Sequence, residues 1–335
     1  MASVLFIQTA FLGDAILSTA LVETWHHYHP EDSIDVLVRK GHEKVFENSP
    51  GLRKVHVWDK KQQKYRNLFR LMGEIRKQHY DKVVNLQRFF STGFITVCAG
   101  ASKTIGFHKN PLSFLFTNSV EHEIDPRKGT HEIERNHALI KAYTGPHSLP
   151  PKLYPLNIQT FVSSLGLHHP YITISPASVW FTKQFPAEKW IAFLTTLPQE
   201  LEVVLLGGPA DKDLCSDISE EVKRVNPMLH LKNCCGMLDI LGSAAIMKQA
   251  QMNYVNDSAP LHIASAMNAP VCAIFCSTVP GFGFGPRSER SFAVETKNHL
   301  PCRPCGLHGK KACPEGHFNC AMEIATEQLY EALDR

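Results

Sequence analysis

Apolar runs of strand length alternate with segments of helical period along almost the whole chain, and that alternation leaves few architectures open. "VLFIQTA" (4–10) precedes a helical pattern with Ile16, Leu17, Ala20, Leu21 and Trp25 on one side. "SIDVLVRK" (33–40) reads as the next strand, and "YDKVVNLQ" (80–87) as another after the helical "NLFRLMGEIRKQ". The second half repeats the design with "YITISPA" (171–177), a helix opening at Pro186, "EVVLLGG" (202–208), "MNYVND" (252–257), the helical "APLHIASAMN" and "APVCAIF" (269–275). Strands joined through helices require right-handed crossovers and a parallel sheet. Between the halves, "TGPHSLPPKLYPLN" (144–157) has four prolines in fourteen residues and reads as an interdomain linker. The expected fold is α/β: two doubly wound, Rossmann-like domains in tandem, over 1–155 and 156–335. Ligands of such sheets sit at the carboxyl ends of the strands, so a cleft between facing domains is the default site.

At 335 residues with 44% hydrophobic content, the chain is long enough for two domains of roughly 150 residues each. The first segment lacks a basic leader, its apolar run is broken at Asp14, and no later stretch reaches the roughly 18 apolar residues of a membrane span. A cytoplasmic protein is expected, with peripheral docking on a membrane surface left open. The net charge is only +3, but residues 1–150 hold 20 Lys+Arg against 15 Asp+Glu, leaving 15 against 17 for the remainder. The basic first half favours an anionic partner there; no nucleic-acid partner is expected. Ten cysteines without a leader argue for thiols. Cys302, Cys305, Cys313 and Cys320 follow C-x2-C-x7-C-x6-C with His308 and His317 nearby. That spacing resembles a structural zinc knuckle, although its second interval is short.

Three stretches carry candidate chemistry. Gly13-Asp14 falls at the first strand-to-helix turn, where backbone N–H groups and the helix dipole favour negative charge. Asp14 reads either as an N-cap or as a general base beside a glycine that admits a substrate. In "SPASVWFTKQFPAEKW" (175–190), Ser178, Thr182 and Lys183 lie in a proline-bounded loop and are candidates for phosphate oxygens; a solvated loop is the alternative. In "NDSAPLHIASAMNAPV" (256–271), Asp257 is placed to cap a helix while Ser258, the first N–H groups and His262 face the cleft. A packing role for His262 weighs about equally.

Taken in this order, with "FLGDAILSTALVE", "NLQRFFST" (85–92), "HEIERN" (131–136) and the tail "LPCRPCGLHGKKACPEGHFNCAMEI", the stretches resemble glycosyltransferase family 9, the ADP-heptose:lipopolysaccharide heptosyltransferases, over nearly the whole chain. The similarity is strongest to the heptosyltransferase II branch. The resemblance implies a GT-B fold, with the lipid acceptor on the N-terminal domain and the nucleotide sugar on the C-terminal one. Asp14 is then the catalytic base, and attack on a β-linked ADP-heptose gives an α-linked product with inversion. No Asp-x-Asp motif appears where a diphosphate would bind, so no metal or cofactor is expected to be required. Lys183 supplies charge to the leaving group, while Ser178, Thr182, Ser258, His262 and the helix start at Ala259 and Leu261 supply further donor contacts. Asp257 orients Lys183 or the sugar, and Asp211 or Asp213 is the candidate for the ribose.

The chain departs from the family pattern at Ala259, where glycine is common, and at Ser175-Pro176-Ala177, where a glycine is often found. The implied acceptor is an anionic inner-core lipid, Kdo-lipid A already bearing one heptose. Gly13, Arg88 and Arg135 would meet it, with Lys103, Lys109, Arg127, Lys128 and His131 as further basic candidates. The resemblance accounts for the tail cysteines without metal. The competing readings are a family 9 transferase with another donor or acceptor, and a non-catalytic nucleotide-sugar-binding paralogue. Domain closure is expected about the 144–157 linker and the terminal "ATEQLYEALDR".

Overall fold

Two six-stranded parallel sheets frame the protein, one in each half of the chain. The computed structural model describes residues 1–167 and 170–334, the side chain of Lys64 excepted; Arg335, the last residue of the expected second domain and of the terminal "ATEQLYEALDR", lies outside the described residues. The first sheet contains β1 (Ser3–Gln8), β2 (Ser33–Arg39), β3 (Leu52–Trp58), β4 (Lys82–Asn85), β5 (Lys103–Phe107) and β6 (Asn118–Val120). The second contains β7 (Tyr171–Ser175), β8 (Glu202–Leu205), β9 (Leu231–Asn233), β10 (Met252–Asn256), β11 (Val271–Phe275) and β12 (Ser291–Glu295).

Their spatial orders are β3-β2-β1-β4-β5-β6 and β12-β11-β10-β7-β8-β9, the same doubly wound winding twice. In each sheet the order reverses beside the first strand, between β1 and β4 and between β7 and β10. Helices on both faces of such a sheet bury its central strands completely. Val4, Leu5 and Ile7 of β1 and Ile172 and Ile174 of β7 are accordingly inaccessible to solvent. The sequence reading named neither β3, β5 and β6 nor β9 and β12. β3, at one edge, mixes polar Arg53, Lys54 and His56 among its apolar residues in "LRKVHVW", and β6 and β9 are only three residues long.

The first helix, Leu12–Tyr28, was expected to bury one face, yet Ala15 to Val22 are buried without a break. Its polar residues tolerate this because each hydroxyl returns to a carbonyl of the preceding turn: Ser18 to Ala15, Thr19 to Ile16 and Thr24 to Ala20. Thr24 and Thr19 then accept the N–H groups of Leu149 and Lys152, and Tyr154 donates to Glu23. Much of the proline-rich stretch is thus fastened to this helix. The chain divides into one compact unit of Met1–Ile124 with Thr130–Tyr154, and another of Asp125–Gly129 with Pro155–Arg335. Residues 125–129, expected in the first domain, pack instead with the second unit, where a Cβ on Gly281 would stand 2.7 Å from the Pro126 carbonyl oxygen.

A buried ionic node ties together the amino-terminal sheet. Asp35 on β2 is fully buried and accepts two hydrogen bonds from Arg53 on β3, at 2.9 and 2.7 Å, and one from the Tyr80 hydroxyl. Burial pushes its carboxyl up, but bonds from His56, Arg53 and Tyr80 outweigh that and hold it well below the usual carboxylate range. Among the described residues, no helix is long and apolar enough to cross a membrane.

Candidate functional site

In the second unit, the chain leaving β7 and the chain leaving β10 meet at the point where the strand order reverses. Asn256, the last residue of β10 and fully buried, fixes this meeting. Its Oδ1 accepts the Phe185 N–H at 2.9 Å and its Nδ2 donates to the Pro176 carbonyl at 2.7 Å. One side chain therefore holds both ends of the 176–185 loop.

That loop carries Lys183, whose Nζ lies 2.6 Å from Asp257 Oδ2; both side chains are mostly buried. Thr278 Oγ1 donates to the same carboxylate oxygen at 2.6 Å. Asp257 therefore does not cap the following helix. The cap position, before Ala259–Ala266, belongs to Ser258, whose hydroxyl makes no capping bond and stands 3.4 Å from the Asn256 carbonyl oxygen. The helix start thus keeps its dipole without a side-chain cap, beside a lysine ammonium, an arrangement suited to phosphate oxygens. Ala259 is the first helical residue and is absent from the positive-φ positions, so its methyl group is accommodated without backbone strain.

Several expected donor contacts are placed differently. Thr182 is buried; its hydroxyl accepts the Lys310 N–H at 2.8 Å and the Ser277 hydroxyl at 3.0 Å, which makes it an internal staple. Leu261 is a core residue whose N–H is given to the Ser258 carbonyl. His262 is buried on the first turn, and Ser178 is half-buried, its hydroxyl 3.4 Å from the Trp180 nitrogen. Asp211 accepts the Gly208 N–H at 2.8 Å and closes a short turn after β8, whereas Asp213 is exposed on the next helix.

In the first unit, Asp14 lies on the opening turn of the helix that follows β1. The N-cap there is Phe11, without a side-chain cap bond, and Gly13 is already helical, so neither Asp14 as cap nor Gly13 as a loop residue holds. Three residues into the helix, Asp14 places negative charge where the dipole favours it. Arg88 is exposed just beyond β4, with its guanidinium carbon 5.8 Å from the centre of the Phe89 ring. Asn110 secures that loop by donating to the Gln87 and Phe89 carbonyls. Exposed Arg88, Phe89, Phe90, His108, Lys109, Phe114 and Leu115 share these connected segments, and between Asp81 and Glu121 the chain has no acidic residue. Arg135 is turned inward instead, bonding Glu132 at 2.7 Å and the Thr130 carbonyl, while His122 holds the same Glu132. Burial there pushes the Glu132 carboxyl up, but His122 and Arg135 outweigh it and hold it low.

All ten cysteines are free thiols. Burial, then the Cys305 and Cys313 thiols, push Cys320 up to about 12. Cys302 Sγ lies 4.0 Å from His317 Nε2. Among the described residues, no group of three or more His, Cys, Asp or Glu side chains is gathered closely enough to hold a metal ion. The residues that sequence reasoning passed over are Asn256, Ser277, Thr278 and Arg303. Asn256 had one signal, an amide ending an otherwise buried strand.

Residues 68–315 match the model of glycosyltransferase family 9 (heptosyltransferase). The chain is 25% identical over 279 residues to lipopolysaccharide heptosyltransferase 3 of Escherichia coli K12, covering 79% of this chain and 80% of that protein. It is 26% identical over 332 residues to lipooligosaccharide heptosyltransferase 2 of Campylobacter jejuni serotype O:6, covering 97% and 96%. The solved structure of E. coli ADP-heptose lipopolysaccharide heptosyltransferase II matches with a TM-score of 0.79 at 19% identity, covering 99% of this chain and 97% of that one. The two parallel sheets are thus those of the GT-B fold.

Proposed function

This chain belongs to glycosyltransferase family 9, and we propose that it is a heptosyltransferase of the II type. It moves heptose from ADP-L-glycero-β-D-manno-heptose to heptosyl-Kdo-lipid A, with inversion and without a required metal. The observation that supports this reading most is the Lys183–Asp257 pair beside an uncapped helix start at the β7/β10 switch point. Lys183 and the Ser258 helix start take the diphosphate of the donor, and Asp257 holds the ammonium in place. Charge growing on the departing ADP is met by groups already oriented before the reaction, the arrangement that stabilises a transition state most. Asp14 takes the proton of the acceptor hydroxyl as it attacks the anomeric carbon. Arg88 meets the acidic or phosphorylated part of the acceptor.

The relatives' names bear on the substrates: the similar solved enzyme is an ADP-heptose lipopolysaccharide transferase, and the curated relatives act on lipopolysaccharide or lipooligosaccharide. The acid-free stretch 82–120, with exposed aromatic residues beside Arg88, suits an anionic lipid acceptor and a peripheral position on the inner membrane. The test is mass-spectrometric detection of heptose transfer from ADP-heptose to mono-heptosylated Kdo-lipid A. Asp14→Asn is expected to lower turnover by on the order of 10²–10⁴ while ADP affinity stays unchanged. A folded wild-type protein that binds ADP-heptose but transfers nothing refutes the acceptor; failure to bind ADP refutes the donor.

A further inference from the structure

We propose that Gly309, in the cysteine-bearing tail, is a positioning residue that sets the direction of the Lys183 ammonium. The inference rests on the reading above, in which Lys183 meets the donor diphosphate. The tail is laid directly over the donor loop. Thr182 N–H donates to the Lys310 carbonyl at 3.1 Å while Lys310 N–H returns to the Thr182 hydroxyl. Cys305 N–H donates to the Ser277 carbonyl at 3.0 Å, and Ser277 N–H to the Thr182 carbonyl at 3.2 Å. Upstream, the Arg303 guanidinium gathers the Phe275, Cys276 and Thr278 carbonyls at 3.1, 2.7 and 2.7 Å and pairs with Glu295. The strand end that supplies Thr278 to Asp257 is therefore fastened to the segment that covers Lys183.

Gly309 lies where the tail passes the lysine. A Cβ on it would stand 2.8 Å from Lys183 Cγ, 3.0 Å from Cδ and 3.0 Å from Trp180 Cβ. The backbone on both sides is held by the Thr182 and Lys310 bonds, so the flexible lysine stem is what must give way. Its ammonium is fixed by Asp257 at 2.6 Å, and a displaced stem cannot keep that geometry. The absence of a side chain at 309 thus keeps Lys183 aimed.

The tail supplies its own control. Gly309 and Gly316 share nearly the same left-handed φ, +78° and +76°, but a Cβ on Gly316 would meet nothing within 4 Å. Gly309→Ala and Gly316→Ala therefore both place a side chain at a left-handed φ, and only the first touches Lys183. ADP binding by calorimetry, KM for the sugar nucleotide and thermal midpoint are measured for both, alone and with Lys183→Ala. Gly309→Ala is expected to weaken ADP binding about tenfold or more, the loss of a charge-assisted contact, with a thermal midpoint matching Gly316→Ala. Added to Lys183→Ala, it should bring no further loss. Equal ADP affinity in the two glycine variants, with Lys183→Ala still impaired, overturns the positioning role alone. A further loss on top of Lys183→Ala overturns it as well. Unchanged ADP affinity in Lys183→Ala overturns both this inference and the reading beneath it.

Discussion

Lys183→Met removes the ammonium that stands 2.6 Å from Asp257 Oδ2 and strands a mostly buried carboxylate beside the proposed diphosphate site. Two effects follow, and they can be separated. The lost charge-assisted hydrogen bond is worth about 1.5–3 kcal/mol. The stranded carboxylate then repels the donor: at roughly 5 Å and an effective dielectric of about 20, two unit charges oppose each other by about 3 kcal/mol. Partial solvent access brings that repulsion nearer to about 1–2 kcal/mol. Together they predict a loss of ADP affinity of about 10²–10⁴-fold.

Replacing Asp257 with Asn in the same chain removes only the repulsion and keeps an acceptor for the Thr278 hydroxyl. The double variant should therefore bind ADP about tenfold more tightly than Lys183→Met alone, a rescue by neutralising the carboxylate at unchanged side-chain size. Isothermal calorimetry with ADP at fixed ionic strength reads both steps. A double variant that binds no better than the single one, or worse, refutes the reasoning, because Asp257 would then contact the donor in its own right.

The other expectations concern the scaffold. Asp35→Asn leaves the Arg53 guanidinium without its counter-charge and should cost about 2–3 kcal/mol in urea unfolding. Because the folded carboxyl titrates below its ordinary value of about 3.9, its stabilisation is complete above that pH and is lost as pH falls beneath it. Wild type should thus lose more stability than Asp35→Asn on acidification below about pH 4; parallel profiles for the two proteins would sink the assignment. Thr182→Val removes the acceptor of two buried donors and should cost about 2–4 kcal/mol, with Thr182→Ser restoring it. Unchanged stability together with lost ADP affinity would instead put the Thr182 hydroxyl on the donor.

How much was legible in the sequence differs between fold and site. Central strands such as "VLFIQTA" and "YITISPA" announced themselves because a strand covered on both faces must be apolar throughout. The edge strand "LRKVHVW" did not, since half its residues face water and its pairing partner, β2, is supplied by another part of the chain. The proline-rich stretch read correctly as irregular backbone, but its fastening to Thr19, Thr24 and Glu23 depends on residues more than a hundred positions away.

The site shows the same division. Periodicity and turn chemistry alone put Asp14, Lys183 and Asp257 just after strands, because a parallel sheet delivers its strand-to-helix turns to one edge. Which partner each residue takes was decided in three dimensions. Asp257 was read from its spacing as a helix cap and from the resemblance as orienting Lys183 or the sugar, and it is Lys183 and Thr278 that claim it; Thr182 was expected to meet ligand and is claimed by Lys310 and Ser277. Local sequence fixes which chemical groups reach the carboxyl ends of the strands, since that follows from the periods of strand and helix. Only the tertiary structure chooses among their partners, because a short polar side chain bonds whichever group the packing brings within about 3 Å, and the chain order does not encode that distance.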